Sequence, residues 1–188
     1  MQRAWILAAA AVMFVASSAI AAEESGSKAA AEVKTGLKVG QVAPEFKIAD
    51  ANGKLIDLAE LTARGPVLVR LTCGCSGCDK ELGYFQALHE AYKDKGLVSV
   101  AVFKEPDTKV ESYVKEKKLE MLYAVDTDGK SWDTFQTKTM PTNFLIDKGG
   151  KISAIAAGCD PSGLVAKNLS AKVAKLVGAK TADVDPAK

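Results

Sequence analysis

The sequence predicts one α/β domain, a mixed central sheet with helices on both faces and a β-hairpin ahead of it. Three observations carry that expectation. Strand-like and helix-like segments alternate through the first half of the domain; a hairpin and a closing helix end it; and the run Pro66-Val67-Leu68-Val69-Arg70-Leu71-Thr72 is apolar on both alternating faces apart from Arg70. A strand covered on both sides requires such a continuous run. Alternation followed by a hairpin makes the sheet mixed, with helices packed over it.

The elements follow in order. Phe46-Lys47-Ile48 and Leu55-Ile56-Asp57 flank Asp50-Ala51-Asn52-Gly53, whose Asn-Gly pair supplies the positive φ of a hairpin turn. After the apolar strand, Lys80 to Lys95 repeats apolar residues at 82, 85, 88 and 92, a helical spacing that Gly96 stops. Leu97 to Phe103 reads as a strand, and Asp107 to Lys118 as a helix rich in lysine and glutamate, opened by an Asp or Thr cap. Met121 to Val125 is a short apolar piece, Asp126 to Gly129 a turn, and Ser131 to Phe135 a brief helix. Asn143 to Asp147 and Lys151 to Ala157 make a second hairpin across Lys148-Gly149-Gly150. Ser162 to Val177 places Leu164, Leu169, Val173 and Leu176 on one helical stripe.

Residues 1–22 follow the plan of a secretory signal: Arg3, an uncharged apolar run to Val15, then small residues from Ser17 to Ala22. The run is short for a permanent membrane span. Residues 23–36, mostly Ala, Ser, Lys and Glu, read as a flexible tether, 37–177 as the domain, and 178–188 as a flexible tail. The expected location is therefore periplasmic or secreted, an oxidising setting in which neighbouring thiols pair or do redox chemistry. A formal charge of +2 on 188 residues gives no reason to expect a nucleic-acid partner.

Three of the four cysteines, Cys73, Cys75 and Cys78, crowd the junction of the buried strand and the next helix. A thiol at a helix N-terminus is held ionised by the free amides and the dipole, and a thiolate is the attacking species in disulfide exchange. On this reading Cys75 is the exposed nucleophile and Cys78 the buried resolving thiol. Glu81, in the first turn, suits the dipole and is a candidate for proton handling.

Four segments, in order, resemble one family. They are Val39-Gly40-Gln41-Val42-Ala43-Pro44-Glu45-Phe46; Asn52-Gly53-Lys54; Pro66 to Val69 running into Cys75-x-x-Cys78-x-x-Glu81; and Met140 to Asp147 with Gly149-Gly150-Lys151-Ile152. Together they look like the TlpA-type thioredoxin-like thiol:disulfide oxidoreductases, within the redoxin group that also holds the peroxiredoxins. The resemblance implies a thioredoxin fold, Cys75 and Cys78 as the redox pair, Glu81 as the family's acid and Pro141 as a cis-proline. It implies that the backbone of Met140 pairs with substrate, and that the protein reduces other exported proteins and is recharged by a membrane electron donor. It calls for no cofactor and no metal.

The chain departs from the pattern at five residues. Gly74 stands where a tryptophan is usual, which thins the apolar lip where substrate meets Cys75. Gly83 replaces a proline and should remove a kink. Arg70 occupies the place of a buried acid in thioredoxins; an arginine stays protonated and cannot act as a base, so it is expected to stabilise thiolate, to pair with Glu81, or simply to reach solvent. Cys73 and Cys159 are extra. They could form a second disulfide, relay electrons to the Cys75/Cys78 pair, sit as small buried hydrophobes, or join all four thiols around a soft metal.

Three rival functions fit the sequence less well. Thr72-Cys73-Gly74-Cys75 offers the spacing of a peroxiredoxin-type peroxidase, but every arginine, at 3, 64 and 70, precedes Cys75, leaving none later to polarise a peroxide. A Sco-type copper protein needs a later histidine; the single His89 lies in the first long helix and reads as a solvated surface residue. Trp132 and Phe135 could serve a redox-inert interaction module, yet at that spacing they read as core.

Overall fold

A computed structural model describes residues 35–186. The secretory signal expected at 1–22 and nearly all of the tether at 23–36 lie outside the described residues.

A two-stranded antiparallel ribbon, β1 (Lys47–Ala49) and β2 (Leu55–Asp57), precedes a five-stranded sheet. The sheet runs β5 (Leu122–Val125), β4 (Val98–Phe103), β3 (Val67–Thr72), β6 (Thr142–Ile146), β7 (Ile152–Ala157). β3 to β4 and β4 to β5 are parallel; β3 to β6 and β6 to β7 are antiparallel. This is the mixed sheet of a thioredoxin fold, as the alternation predicted.

Strand alternation sorts the core into two layers. Val67, Val69 and Leu71 point to one face, where they meet Phe46, Ile56, Leu61, Trp132, Phe135 and Phe144. The ribbon, α1 (Leu58–Arg64) and α4 (Lys130–Thr134) cover that face. Trp132 and Phe135 are thus core, not a partner surface. On the other face Leu68 packs with Leu82, Phe85, Leu88, Leu169 and Val173 of α2 (Ser76–Tyr92) and α5 (Leu164–Leu176), and Ala101 and Phe103 pack on α3 (Asp107–Lys117). Arg70 has the parity of Leu68 and so points at α2.

Several expectations need adjusting. α1 was not foreseen; Asp57 caps it by accepting from the Ala59 N–H at 2.9 Å, a cap hidden inside what reads as a strand end. On α5 the stripe is shifted: Leu164 and Leu176 are exposed, and Ala166, Leu169, Ser170, Val173 and Ala174 face inward. The tail, read as flexible from 178, is seated as far as it is described. Val184 is fully buried, the Ala182 N–H donates to the Tyr92 hydroxyl at 2.8 Å, and the Ser170 hydroxyl donates to the Ala182 carbonyl at 2.9 Å. The sequence hides this because one valine among small and charged residues carries no periodicity. Gly83 has a counterpart here, since a Cβ on it would lie 3.0 Å from Pro186; with no proline at 83, α2 runs unbroken from Ser76 to Tyr92.

Candidate active site

β3 ends at Thr72, residues 73–75 cross its end, and Cys75 is the N-cap of α2, with extended backbone (φ −75°, ψ 157°). The helix closes its first bond from the Asp79 N–H to the Cys75 carbonyl at 2.9 Å. Asp79 also accepts from the Tyr113 hydroxyl at 3.0 Å and pairs with Lys117 at 3.0 Å, pinning the start of α2 to α3.

The three clustered thiols share this junction. Cys75 is exposed, Cys78 is buried, and Cys73 is partly buried between them. Their sulfurs lie within 4.8 Å of one another, with Cys73 and Cys78 only 3.2 Å apart. The Cys75 thiol is held below its ordinary acidity value first by a hydrogen bond from the Cys73 thiol, then by the backbone N–H of Cys78, which faces the sulfur without closing a full capping bond. The helix terminus is therefore the second contributor, and the neighbouring thiol the first. Burial pushes the Cys73 thiol up, and its bonds to Cys75 and Cys78 add to that.

Arg70 does not reach solvent. Its Nη2 donates to Glu81 Oε2 at 3.0 Å, its Nη1 donates to Asn143 Oδ1 at 2.9 Å, and its guanidinium lies 4.1 Å from the centre of the Phe85 ring. Both members of the ion pair are essentially inaccessible, at 1% exposure each. The other oxygen of Glu81, Oε1, accepts from the Asp160 N–H at 2.7 Å. Glu81 thus ties three elements together: β3 through Arg70, its own helix, and the loop after β7. In that loop Cys159 is exposed, and its thiol donates to the Gly77 carbonyl at 2.8 Å. Burial first, then the Glu81 charge, raise its pKa. Cys159 lies outside the set of mutually close sulfurs, so the structure does not assemble a four-thiolate cage.

Leu71 faces Thr142 in the β3–β6 register, which brings residues 140 and 141 to the end of the sheet where Cys73 leaves it. The Met140–Pro141 peptide is cis, Pro141 is buried, and its carbonyl accepts from the Gly158 N–H at 2.8 Å. Gly74 donates its N–H to Glu105 Oε1 at 2.8 Å. Beside it a groove of about 250 Å³ opens, lined by Gly74, Cys75, Phe103, Glu105, Lys109 and Tyr113 among others. His89 sits roughly 16 Å along α2 from Cys78, at ~1.5 Å rise per residue; it is half-buried rather than solvated, and burial lowers its pKa.

The sequence reading missed Asn143, Asp160, Glu105 and Tyr113. Asn143 carried a signal, an amide side chain in a buried strand, directly opposite Arg70 in the sheet. Asp160 and Glu105 carried none, because each acts through a contact far away in sequence.

Comparison with known proteins bears on the whole domain. A family profile described as AhpC/TSA family matches residues 39–155. Thiol-disulfide oxidoreductase ResA of Bacillus cereus is 35% identical over 120 residues, covering 63% of this chain and 69% of that protein. ResA of Bacillus subtilis is 31% identical over 126 residues, covering 66% and 70%. A crystal structure from Chlorobium tepidum, carrying the provisional name thiol:disulfide interchange protein DsbE, superposes with a TM-score of 0.69 at 25% identity, covering 76% of this chain and 99% of that one.

Proposed function

The chain belongs to the AhpC/TSA family and, within it, to the thiol-disulfide oxidoreductases of the TlpA and ResA type, and from that premise we propose that it is exported and reduces disulfides of other exported proteins. In this reading Cys75 attacks a substrate disulfide, Cys78 resolves the mixed disulfide, and the oxidised pair is recharged by a membrane electron donor. The observation that carries it is an exposed Cys75 at the start of α2, acidified by its neighbours and within 4.8 Å of a buried Cys78. An exposed low-pKa thiol attacks; a buried one nearby is shielded from outside reagents and closes the ring.

Met140, next to the cis bond at the same end of the sheet, is the backbone to which a substrate strand pairs, as the family resemblance implies. Gly74 leaves the approach to Cys75 open. Glu81, with both oxygens engaged by Arg70 and Asp160, serves proton handling only through that network. The N-terminal segment read as a secretory signal supports export. No helix among the described residues is long and apolar enough to cross a membrane.

Two measurements test the reading. Reduced protein should cleave the disulfides of insulin, and Cys75→Ser should abolish this. A redox titration should place the active pair nearer the thioredoxin value of about −270 mV than the DsbA value of about −120 mV. A potential near the latter would make the protein an oxidant and overturn the direction; no turnover of any disulfide would overturn the function.

A further inference from the structure

Cys73 forms no bond in a two-cysteine exchange, yet its sulfur lies 3.2 Å from that of Cys78. Disulfide sulfurs stand about 2.05 Å apart, so only ~1.1 Å separates this contact from a bond. Cys78 is held within the first turn of α2, while Cys73 belongs to the segment crossing the end of the sheet. The neighbouring Gly74 has no side chain to obstruct a shift of this segment: even a Cβ there would make nothing closer than an ordinary contact, 3.6 Å to Tyr113. Of the two, Cys78 is fixed by the hydrogen bonds of its helix, and Cys73 lies outside any helix or strand, so the approach falls to Cys73.

The geometry points to Cys73 as a second exchange partner of Cys78, so that the oxidised site interconverts between a Cys75–Cys78 and a Cys73–Cys78 disulfide. The inference rests on the assignment of Cys75 and Cys78 as the redox pair and extends it. In the step, the Cys73 sulfur attacks the Cys78 sulfur of the Cys75–Cys78 disulfide. The Cys73–Cys78 bond forms, the Cys75–Cys78 bond breaks, and its electron pair leaves on Cys75. Cys73 attacks as the thiolate, its proton given to solvent, and Cys75 leaves as a thiolate within 4.8 Å of it, which takes up a proton from solvent, so charge and protons balance. One disulfide is made for each one broken, so no oxidant or reductant is needed. An acidic thiol is the better leaving group, and Cys75 is the acidified one. The rearranged protein keeps its oxidising equivalents in an inner disulfide and presents a free thiol at the surface.

The test uses the purified full chain. Protein oxidised with one equivalent of diamide is quenched in acid, alkylated with N-ethylmaleimide and digested with trypsin, which releases all three thiols in the single peptide 71–80. Tandem mass spectrometry then reads which sulfur carries the label. Label on Cys75, in at least about a tenth of the peptides that hold a disulfide, is the expected result for two isomers in exchange. Label confined to Cys73 overturns the interconversion but leaves the oxidoreductase assignment standing. In a second arm, oxidised Cys75→Ser should form a Cys73–Cys78 disulfide; alkylation of both sulfurs instead overturns the proposal even where the variant is folded. If wild-type protein forms no disulfide within this peptide and reduces no insulin, the redox-pair assignment itself falls, a result distinct from either of the others.

Discussion

Replacing Arg70 with methionine tests whether the ion pair beneath the thiols organises the site. The substitution keeps an unbranched side chain over Phe85 but removes the cation 3.0 Å from Glu81 and the donor 2.9 Å from Asn143. Two unit charges at 3.0 Å attract by about 5 kcal/mol at an effective dielectric of ~20. Glu81, 1% exposed, would keep only the Asp160 N–H, and stranding one partner of a buried pair costs about 3–5 kcal/mol. For a domain of this size each kcal/mol lowers Tm by roughly 2–4 °C, so Arg70→Met should melt about 6–20 °C below wild type. Removing both charges is different, because a buried pair replaced by apolar side chains is often close to neutral. Arg70→Met/Glu81→Leu should therefore be more stable than Arg70→Met alone. Its residual cost is the Asn143 oxygen and the Asp160 N–H left without their partners. Urea denaturation of the four reduced proteins closes the cycle. A loss below about 1 kcal/mol in Arg70→Met, or strict additivity in the double variant, would show that the pair does not hold β3, α2 and the Cys159 loop together.

Three further outcomes follow from the same contacts. Cys73→Ala removes the first contributor to Cys75 acidity, so the thiolate titration of Cys75, followed by alkylation rate against pH, should move up toward the ordinary value of 9.0; an unmoved titration refutes that attribution. Because the folded-state pKa of Cys75 lies below 9.0, the unfolded chain binds more protons between the two values, and the stability of reduced wild type relative to Cys75→Ala should rise with pH through that window and level off above it. The raised pKa of Cys73 works with the opposite sign, through loss of stability above 9.0, so the gain must be read below that pH. A chain ending at Lys180 loses the buried Val184 and the Ala182 bonds to Tyr92 and Ser170; denaturation should show it destabilised by about 2–4 kcal/mol, and an unchanged midpoint would mean the segment is not docked.

Legibility in the sequence tracked the range of the interaction responsible. The strand 67–72, the helix after Cys78 and the closing hairpin were readable because their apolar periods are local and long. The order of cysteines at a strand-to-helix junction likewise located the thiol cluster. Arg70 stood out as a charge in an apolar run, yet its fate depended on Glu81, Asn143 and Phe85, which only the packing of α2 on the sheet brings together. The docked tail, the Asp57 cap and the Glu105 contact to Gly74 rest on single pairings with no period at all. The Cys73 contribution to Cys75 acidity has the same origin: the helix terminus that also lowers it is visible in a sequence, whereas the distance between two sulfurs two residues apart is not.

That last distinction bears on how the site departs from the thioredoxin pattern at position 70. Where a buried acid would face the resolving thiol, the chain places an arginine, and one helical turn past Cys78 it supplies the carboxylate that neutralises it. Neither group is left with a free charge, and both are pinned by a second partner, Asn143 for Arg70 and Asp160 for Glu81. A neutral, doubly anchored pair contributes position more than potential. It fixes the first turn of α2 against β3 and holds the Cys159 loop over Gly77. The acidity of the attacking sulfur must then come from dipoles nearer to it, first the Cys73 thiol and then the Cys78 backbone N–H. The extra cysteine and the arginine therefore belong together: with the Glu81 carboxylate held in an ion pair, the tuning of Cys75 falls to a neighbouring thiol and the first amides of α2.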